Sequence, residues 1–405
     1  MQTIVVVGGG ASGFFFAIEL ASLRKDLEII ILEKNHAVLQ KVKVSGGGRC
    51  NVTHACFQQS TLLKKYPRGK SLLKKTLQQF SPKETMAWFA ARKVTLVEEA
   101  DGRMFPSSNS SQEVIDMMLR ECARLNINIQ TKQEVIGIKP KTDGFDVFLK
   151  TGKTIAANAV MMACGGFHKK EHYAFIEALG HTIETPLASL FTFNIANKKL
   201  HELMGLSAIA SVKISGTPYQ EEGPVLITHW GLSGPAVLRL SAFAAVELHQ
   251  KNYQVQIQVN WLNQPEHLVR EQWQSIRNTL GAQRMEHKNP FQLPQRLWHY
   301  VLDESGIQAQ TKWSELNAKD QNKLIHTLCA QEFEVKGKTT FKEEFVTCGG
   351  VRLSEVNTKT MESLLLKNLF FGGEVLDVDG ITGGFNFQHA WASGFAAARG
   401  MSDAL

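Results

Sequence analysis

The sequence predicts an α/β protein whose first residues form a Rossmann-like unit. Residues 4–7 are a continuous run of β-branched apolar side chains, typical of a strand buried on both faces of a parallel sheet. Gly8–Gly13 follows at once and fits G-x-G-x-x-G, and residues 14–24 favour a helix. A second apolar strand, residues 28–32, ends in Glu33. This order of strand, glycine turn, helix, strand and acid is the pattern of a dinucleotide-binding βαβ unit.

Each position of the glycine turn has a physical purpose. Gly8 permits the tight turn, Gly10 lets the backbone approach a pyrophosphate, and Gly13 allows close contact between helix and strand. The N-terminus of the helix that follows the turn offers free N–H groups and a partial positive charge to phosphates. Glu33, 20 residues after Gly13, is placed to accept hydrogen bonds from ribose hydroxyls. The alternative is a glycine turn that binds nothing.

Further glycine-rich turns favour FAD over NAD. The chain has one G-x-G-x-x-G, so no second nicotinamide-binding domain is predicted, and three other turns suit a long cofactor: residues 45–51, 163–166 and 372–386. Arg49 could neutralise phosphate or flavin charge. A helix predicted from about 388 to 399 directs its N-terminus at the last turn, where it can stabilise negative charge on the N1–C2 edge of a reduced flavin. Any one of these turns alone could equally be a loop.

Composition and charge narrow the class of protein. The chain has 405 residues, 43% of them hydrophobic, a formal net charge of +7, and six scattered cysteines without a C-x-x-C motif. We therefore expect neither a disulfide framework nor a zinc site. No basic segment precedes the first apolar run, so a cytoplasmic protein without a membrane span is expected. The densest basic stretch, residues 64–75, has the pattern of an exposed loop and helix start, so attraction of small anions is favoured over nucleic-acid binding.

Several other motifs contain residue types that can carry chemistry. Gly231–Pro235 is similar to a nucleophile elbow, but a proline replaces the second glycine, which disfavours a serine hydrolase. His168 and His172 are four residues apart and could bind a metal on one helix face, but solvated side chains are favoured and no metal site is predicted. For His229 a buried core position is favoured over a proton donor. No catalytic acid or base is singled out.

Seven segments distributed along most of the chain are distinctive in combination: Gly8–Gly13, Ser45–Asn51, Gly102–Pro106, Thr228–Pro235, Val346–Val351, Thr360–Ser363 and Gly373–Asn386. Together they resemble one bacterial family, the BaiN-like flavoproteins, which includes 3-dehydro-bile-acid reductases and aminoacetone oxidase. Two departures occur. A longer loop that follows the second glycine pair in the family is missing after Gly166, which changes the expected shape of the substrate pocket. Leu39–Lys41 replaces the family's Gly-Arg-Lys, so no arginine near position 40 is expected to contact the adenosine.

The resemblance implies a Rossmann-like FAD domain built from both chain ends, residues 1–188 and 349–405. A β-rich, barrel-like domain is inserted at 189–262 and 333–348, and a small helical domain at 263–332. The sequence agrees, because residues 190–262 read as short strands with turns and residues 263–332 show helical periodicity. Short strands are expected to resume around Glu334 and Phe345.

The predicted function is an FAD-dependent oxidoreductase that passes a hydride between a small organic substrate and the flavin N5, with NAD(P)H or oxygen completing the cycle. The alternatives are a flavin-binding sensor with little turnover and an RNA-modifying flavoenzyme. Asn386 and Phe387 are expected at the pyrimidine edge of the ring, and Cys50 in a positioning role. The predicted cofactor-binding residues are Gly8, Gly10, Ala11, Ser12, Gly13, Glu33, Lys34, Lys41, Ser45, Gly46, Arg49, Cys50, Asn51, Val135, Gly165, Gly373, Glu374, Asp377, Gly383, Gly384, Asn386 and Phe387.

Overall fold

The computed structural model describes residues 1–308, 310–339 and 346–405. The strands in these residues are β1 (Gln2–Val7), β2 (Leu27–Leu32), β3 (Thr53–His54), β4 (Leu96–Glu98), β5 (Arg103–Pro106), β6 (Asn128–Gln130), β7 (Val135–Lys141), β8 (Gly144–Leu149), β9 (Thr154–Ala157), β10 (Ala159–Met162), β11 (Ile183–Ser189), β12 (Thr192–Ile195), β13 (Ser207–Ile214), β14 (Gln220–Thr228), β15 (Gly231–Ser233), β16 (Gln254–Asn260), β17 (Gln331–Thr339), β18 (Val346–Val351) and β19 (Leu369–Phe371).

The α-helices of the same residues are α1 (Ala11–Leu23), α2 (Gln40–Gly48), α3 (Gln59–Leu63), α4 (Lys70–Gln79), α5 (Pro82–Ala91), α6 (Ser111–Arg124), α7 (Ala174–Glu177), α8 (Lys198–His201), α9 (Pro235–Phe243), α10 (Ala245–Gln250), α11 (Glu266–Leu280), α12 (Gln295–Glu304), α13 (Ala318–Ala330) and α14 (Phe385–Ala404). None of these helices combines the length and the apolar character that crossing a lipid bilayer demands.

A five-stranded parallel sheet in the order β19-β10-β1-β2-β6 forms the centre of the first unit. The predicted α/β class with a parallel sheet is therefore confirmed. The chain passes from β1 to β2 on one side of β1 and later returns to β10 on its other side. Between β1 and β10 the strand order reverses, which is where open α/β sheets bind ligands, beyond the carboxyl ends of the strands.

Helices α1 and α14 pack against each other and bury most of their residues. Three phenylalanines, Phe14 to Phe16, are fully buried on α1, while α14 is rich in alanine and glycine, so its backbone comes close to α1. Both helices are longer than predicted, because the last residues of each glycine turn already belong to the helix. The predicted turn at residues 45–51 also begins inside α2, which kinks at Ser45–Gly47.

The described residues divide into two compact units, residues 1–189 with 346–405 and residues 190–339. In the first unit, β11 pairs with β18, and β7–β9 and β3–β5 form two small antiparallel sheets. In the second, six strands close a barrel in the order β12-β15-β14-β13-β16-β17. Helices α9 and α10 interrupt the segment predicted as strands with turns. The domain boundaries predicted from the sequence stay a prediction, and Phe345 lies outside the described residues.

Candidate functional site

The candidate site lies at the carboxyl edge of the central sheet. Strands β1, β2, β10 and β19 are parallel, so the segments that follow them meet at this edge. Those segments are Gly8–Gly13, Glu33, Gly165–Gly166 and Gly372–Gly373. A Cβ atom on Gly8 would lie 2.3 Å from the carbonyl oxygen of Ala163, and one on Gly372 would lie 2.7 Å from Ser12 Oγ. The turns predicted from three distant parts of the sequence are therefore in contact.

Gly10 opens the site toward a ligand. Its φ of −96° suits any residue, yet a Cβ atom added to it would meet no protein atom within 4 Å. It is the N-cap of α1, whose first turn has no side-chain cap in the described part of the chain. The start of α1, with its dipole and its first N–H groups, therefore borders open space at Gly10, an arrangement that fits a pyrophosphate.

Gly13 contributes to packing rather than to the opening. A Cβ atom on Gly13 would lie 2.2 Å from the carbonyl oxygen of Gly8, so only glycine fits where α1 crosses the end of β1. The close helix–strand contact predicted at Gly13 agrees with this geometry, whereas the approach of a pyrophosphate at Gly10 stays a prediction.

Glu33 holds the same turn from the end of β2. Its carboxylate is buried and accepts hydrogen bonds from Gly9 N at 2.9 Å, Asn35 N at 2.8 Å and Asn35 Nδ2 at 2.7 Å. A carboxylate has about four acceptor positions, so one remains for a ribose hydroxyl. Lys34 is exposed and lies over the Phe167 ring, with Nζ 5.3 Å from the centroid.

The segment after α2 is held mainly by its own side chains. Arg49 forms an ion pair with Glu99 at 2.6 Å, and its guanidinium lies 4.0 Å from the centroid of the Phe105 ring. The Arg49 guanidinium, which was predicted to neutralise phosphate or flavin charge, is thus paired with the Glu99 carboxylate. Cys50 is fully buried, and burial raises the pKa of its thiol to about 12, which agrees with a positioning role. Ser45 Oγ donates to the Val42 carbonyl at 3.0 Å.

Asn51 joins this segment to the start of α14. In the amide orientation that satisfies both partners, its nitrogen donates to Thr53 O at 2.9 Å and its oxygen accepts from Gly384 N at 3.0 Å. Asn386 closes the preceding turn, because its amide both accepts from Gly380 N at 2.8 Å and donates to Gly380 O at 2.9 Å. Gly383, with a φ of 124°, lies between them. The N-terminus of α14 is therefore fixed, and no side chain caps its first turn among the described residues.

The turn after β19 is pinned by a similar set of contacts. Glu374 accepts from Thr347 N at 2.9 Å through one carboxylate oxygen and pairs with Lys41 at 2.6 Å through the other. Gly373 N donates to Ser393 Oγ at 2.9 Å. Lys41 and Glu374, 333 residues apart and both predicted at the site, are thus brought together.

The sequence did not single out a buried ion pair beside this turn. Arg68 binds Asp379 with two parallel hydrogen bonds, Nε to Oδ1 at 2.6 Å and Nη2 to Oδ2, and Ser189 Oγ donates to Asp379 Oδ2 at 2.6 Å. The Asp379 side chain is fully buried. Burial raises the pKa of its carboxyl, and the charge of Arg68 opposes that effect. Arg68 belongs to the basic stretch of residues 64–75, which we predicted from the sequence to be exposed.

His389 on α14 is a second residue that the sequence did not reveal. It is buried, its Nε2 lies 3.1 Å from the carbonyl oxygen of Gly373, and its Nδ1 has no partner among the described residues. Burial lowers the pKa of His389 to about 4. The imidazole is therefore neutral at physiological pH. A histidine in an apolar helix was its only signal in the sequence.

The titration of His389 predicts a pH dependence of stability. The unfolded chain protonates this histidine below about pH 6.5, whereas the folded protein resists protonation until about pH 4. The free energy of unfolding should therefore fall as pH drops from 6.5 to 4, with up to about 3 kcal/mol lost through this residue. Urea unfolding of the wild type and of His389→Gln across this range measures it. Parallel curves for the two proteins would contradict the assignment.

Other singled-out residues lie elsewhere or differ from expectation. Val135 begins β7, and the Phe387 ring stacks on Trp391 with centroids 5.6 Å apart. The buried position favoured for His229 is wrong, because that side chain is exposed. His168 precedes the short 3-10 helix that contains His172, so the two do not share a helix face. Within the described residues no group of three or more His, Cys, Asp or Glu side chains is arranged to hold a metal ion.

Two solved structures with a similar fold are oxidoreductases by name. A 3-ketosteroid delta1-dehydrogenase from Sterolibacterium denitrificans aligns over 100% of both chains with a TM-score of 0.51 and 11% identity. A quinol-fumarate reductase aligns over 100% of this chain and 72% of its own, with a TM-score of 0.50 and 13% identity. At these identities the likeness shows the fold alone.

Two curated relatives are similar along their full lengths. The ribosomal RNA dihydrouridine synthase of Escherichia coli is 28% identical over 409 residues, which are 98% of this chain and 97% of the relative. The 3-dehydro-bile acid delta(4,6)-reductase of Clostridium scindens is 28% identical over 413 residues, 100% of both. The model of the family described as HI0933-like protein Rossmann domain matches residues 2–400. The chain therefore belongs to the HI0933-like family of FAD-dependent oxidoreductases, which confirms the resemblance to the BaiN-like flavoproteins.

Proposed function

We propose that this protein uses bound FAD to transfer a hydride to an organic substrate whose carbon–carbon double bond is conjugated to a carbonyl group. The observation that carries the proposal is the meeting of three glycine turns and two uncapped helix starts, those of α1 and α14, at one edge of the parallel sheet. That edge can hold both ends of a long dinucleotide: the phosphates at α1 and an electron-rich ring at α14.

The residues that would hold the cofactor follow from these contacts. Gly10 and the N–H groups of residues 11–13 would face the pyrophosphate, and Glu33 would accept from the ribose. Asn51 and the N-terminus of α14 would face the pyrimidine edge of the ring, where the helix dipole favours negative charge. The flavin, when bound, supplies the hydride-transfer chemistry. The protein supplies orientation and an electrostatic environment.

The names of the relatives support the type of bond that reacts. Reduction of a 3-dehydro-bile acid at delta(4,6) and formation of dihydrouridine both saturate a ring double bond that is conjugated to a carbonyl. Such a bond accepts a hydride at one carbon and a proton at the other. The same two steps on this chain's own substrate are the function that we propose.

A uracil ring in RNA is the second candidate substrate, and one observation favours it. The basic stretch of residues 64–75 lies beside the turn that leads to α14, because Ile381 N donates to Lys65 O at 2.9 Å. Four lysines of this stretch are exposed: Lys64, Lys70, Lys74 and Lys75. Exposed lysines next to the site would attract phosphate groups of a nucleic acid, and the strength of that attraction would fall with salt.

Anaerobic stopped-flow absorbance tests the proposal. We expect purified protein with FAD to show a flavin band that NADPH or NADH bleaches. A 3-oxo-4-ene steroid or a transcribed ribosomal RNA containing uridine should then restore the band. Reoxidation by the RNA and not by the steroid, weakened at higher salt, would select the second candidate. If nicotinamide donors fail to bleach the band, or neither substrate restores it, hydride transfer to such a bond is refuted and a flavin-binding sensor becomes the better interpretation.

A matched charge variant separates the two substrates further. Replacing the four exposed lysines by glutamine should weaken RNA binding by about tenfold or more, because contacts with phosphate groups are lost. The salt dependence of RNA binding should become weaker as well. Reoxidation by the steroid should stay unchanged. The control replaces four exposed lysines of the second unit, Lys198, Lys319, Lys323 and Lys336, in the same way.

A further inference from the structure

Asp377 is an acid at the carboxyl edge of the central sheet that keeps one carboxylate oxygen available. It lies in the turn after β19, and its Oδ1 accepts a hydrogen bond from Gly349 N at 2.9 Å. No hydrogen bond between described residues uses its Oδ2. Asp377 is half-buried, and Oδ2 is not among the buried polar atoms that lack a partner. Oδ2 therefore faces space that water or a ligand can enter.

In the other acids at this edge, each carboxylate oxygen already has a partner. Glu33 accepts from Gly9 N through one oxygen and from Asn35 N through the other. Glu374 binds Thr347 N and Lys41, and Asp379 binds Arg68 and Ser189. A carboxyl group that must give up a proton to a substrate needs an oxygen without such a partner. Among these four acids, Asp377 is the one that meets this requirement.

The electrostatic surroundings of Asp377 favour its protonated form. Burial raises the pKa of its carboxyl, the negative charge of Glu184 adds to that effect, and the Gly349 N–H and Arg68 oppose it. Arg68 directs two hydrogen bonds at Asp379, so its charge is largely committed to that neighbour. The remaining titratable groups near Asp377 are Asp379, Cys348 and Tyr173, and burial raises the pKa of each.

We propose that Asp377 donates, from Oδ2, the proton that accompanies hydride transfer to the substrate. The inference rests on the proposed function, which requires a hydride at one carbon of the double bond and a proton at the other. The hydride and its electron pair come from the reduced flavin, which is oxidised by two electrons. The O–H bond of Asp377 breaks, a C–H bond forms at the carbon nearer the carbonyl, and the carboxylate regains its proton from water.

The two half-reactions separate this inference from the proposed function. In Asp377→Asn saturated with FAD, we expect reoxidation to slow far more than bleaching by NADPH, because only the reoxidation step needs a proton from residue 377. Reoxidation by the steroid or the RNA should slow by about 100-fold or more, the usual contribution of a general acid. Asp377→Glu should recover part of the rate. Asp146→Asn, an acid on β8 paired with Lys141, is the control variant.

A pH profile distinguishes proton donation from a structural role. The reoxidation rate of the wild type should fall as pH rises through the pKa of Asp377. In Glu184→Gln this limb should move to lower pH, because removing a neighbouring negative charge favours the ionised carboxyl. A profile that is identical in the wild type and Glu184→Gln would argue against Asp377 as the donor.

An infrared titration of the FAD-bound protein, compared between the wild type and Asp377→Asn so that the flavin bands cancel, gives a readout that does not depend on turnover. The wild type should show a carboxylic-acid C=O band that persists above the usual titration range of aspartate, and Asp377→Asn should lack it. Wild-type reoxidation rates in Asp377→Asn, or no missing band, would overturn the inference while leaving the proposed function intact. Failure of both substrates to reoxidise the wild-type flavin would instead remove the proposed function and this inference together.

Discussion

Replacing Gly10 by alanine is expected to abolish tight FAD binding while leaving the fold unchanged. The added Cβ atom meets no protein atom within 4 Å, and a φ of −96° suits alanine, so the substitution causes neither a steric clash nor backbone strain in the protein. The methyl group would occupy the space through which a pyrophosphate approaches the backbone. We expect the dissociation constant for FAD to rise by about tenfold or more, measured by titrating the apoprotein and following flavin fluorescence.

Two further glycine variants serve as controls for this result. Gly137→Ala on β7 places its Cβ atom 3.5 Å from Phe148, an ordinary contact, and should bind FAD like the wild type. Gly13→Ala would bring a Cβ atom to 2.2 Å from the Gly8 carbonyl oxygen, so loss of folded protein is expected. Wild-type FAD affinity in Gly10→Ala would exclude this turn as the pyrophosphate site.

Replacing Arg68 by alanine is expected to destabilise the first unit by about 3 to 5 kcal/mol, the usual cost of removing one partner of a buried ion pair. The variant leaves the fully buried Asp379 carboxylate with Ser189 as its remaining side-chain partner. Asp379 lies just before the turn that leads to α14, so FAD affinity should fall as well. Urea unfolding followed by circular dichroism measures the stability, and a flavin titration measures the affinity.

The pair Arg352–Glu184 provides the comparison. Its nitrogen–oxygen distance is 2.6 Å, but the two side chains are 47% and 42% exposed. Exposed pairs contribute less than about 1 kcal/mol, so Arg352→Ala should unfold at nearly the wild-type urea concentration. Equal losses of unfolding free energy in Arg68→Ala and Arg352→Ala would mean that burial does not make the Arg68–Asp379 pair more important for stability.

The parts of this protein that the sequence predicts well are those fixed by local chemistry. An apolar β-branched run, a glycine turn and an acid at a set spacing specify β1, α1 and β2, and each was predicted with its correct type. The ends of α1 and α14 were less well predicted, because the final residues of a glycine turn can be loop or helix without a change in composition.

The contacts that join distant segments could not be predicted from the residues alone. Arg68 and Asp379 are 311 positions apart, and nothing in a lysine-rich stretch indicates that its arginine turns inward. Asp377 was predicted to bind the cofactor. Its Oδ2 has no partner among the described residues because Arg68 binds Asp379 and Lys41 binds Glu374, and the sequence does not reveal these pairings. A buried core position was favoured for His229, whereas the fold leaves the imidazole exposed.

The pairing of β1 with β10, and of β10 with β19, has a consequence for how the protein is made. The first glycine turn leaves the ribosome 365 residues before Gly373, an interval of roughly 20 to 70 s at ordinary rates of synthesis. Strand β1 lacks β10 until residue 162 has been made, β10 lacks β19 until residue 371, and α1 lacks α14 throughout, so the part of α1 that α14 covers stays exposed. The barrel unit is continuous in the sequence and can form meanwhile. The N-terminal segment of the nascent chain, which is made first, should therefore be the part that chaperones bind most. FAD should bind only after α14 has left the ribosome.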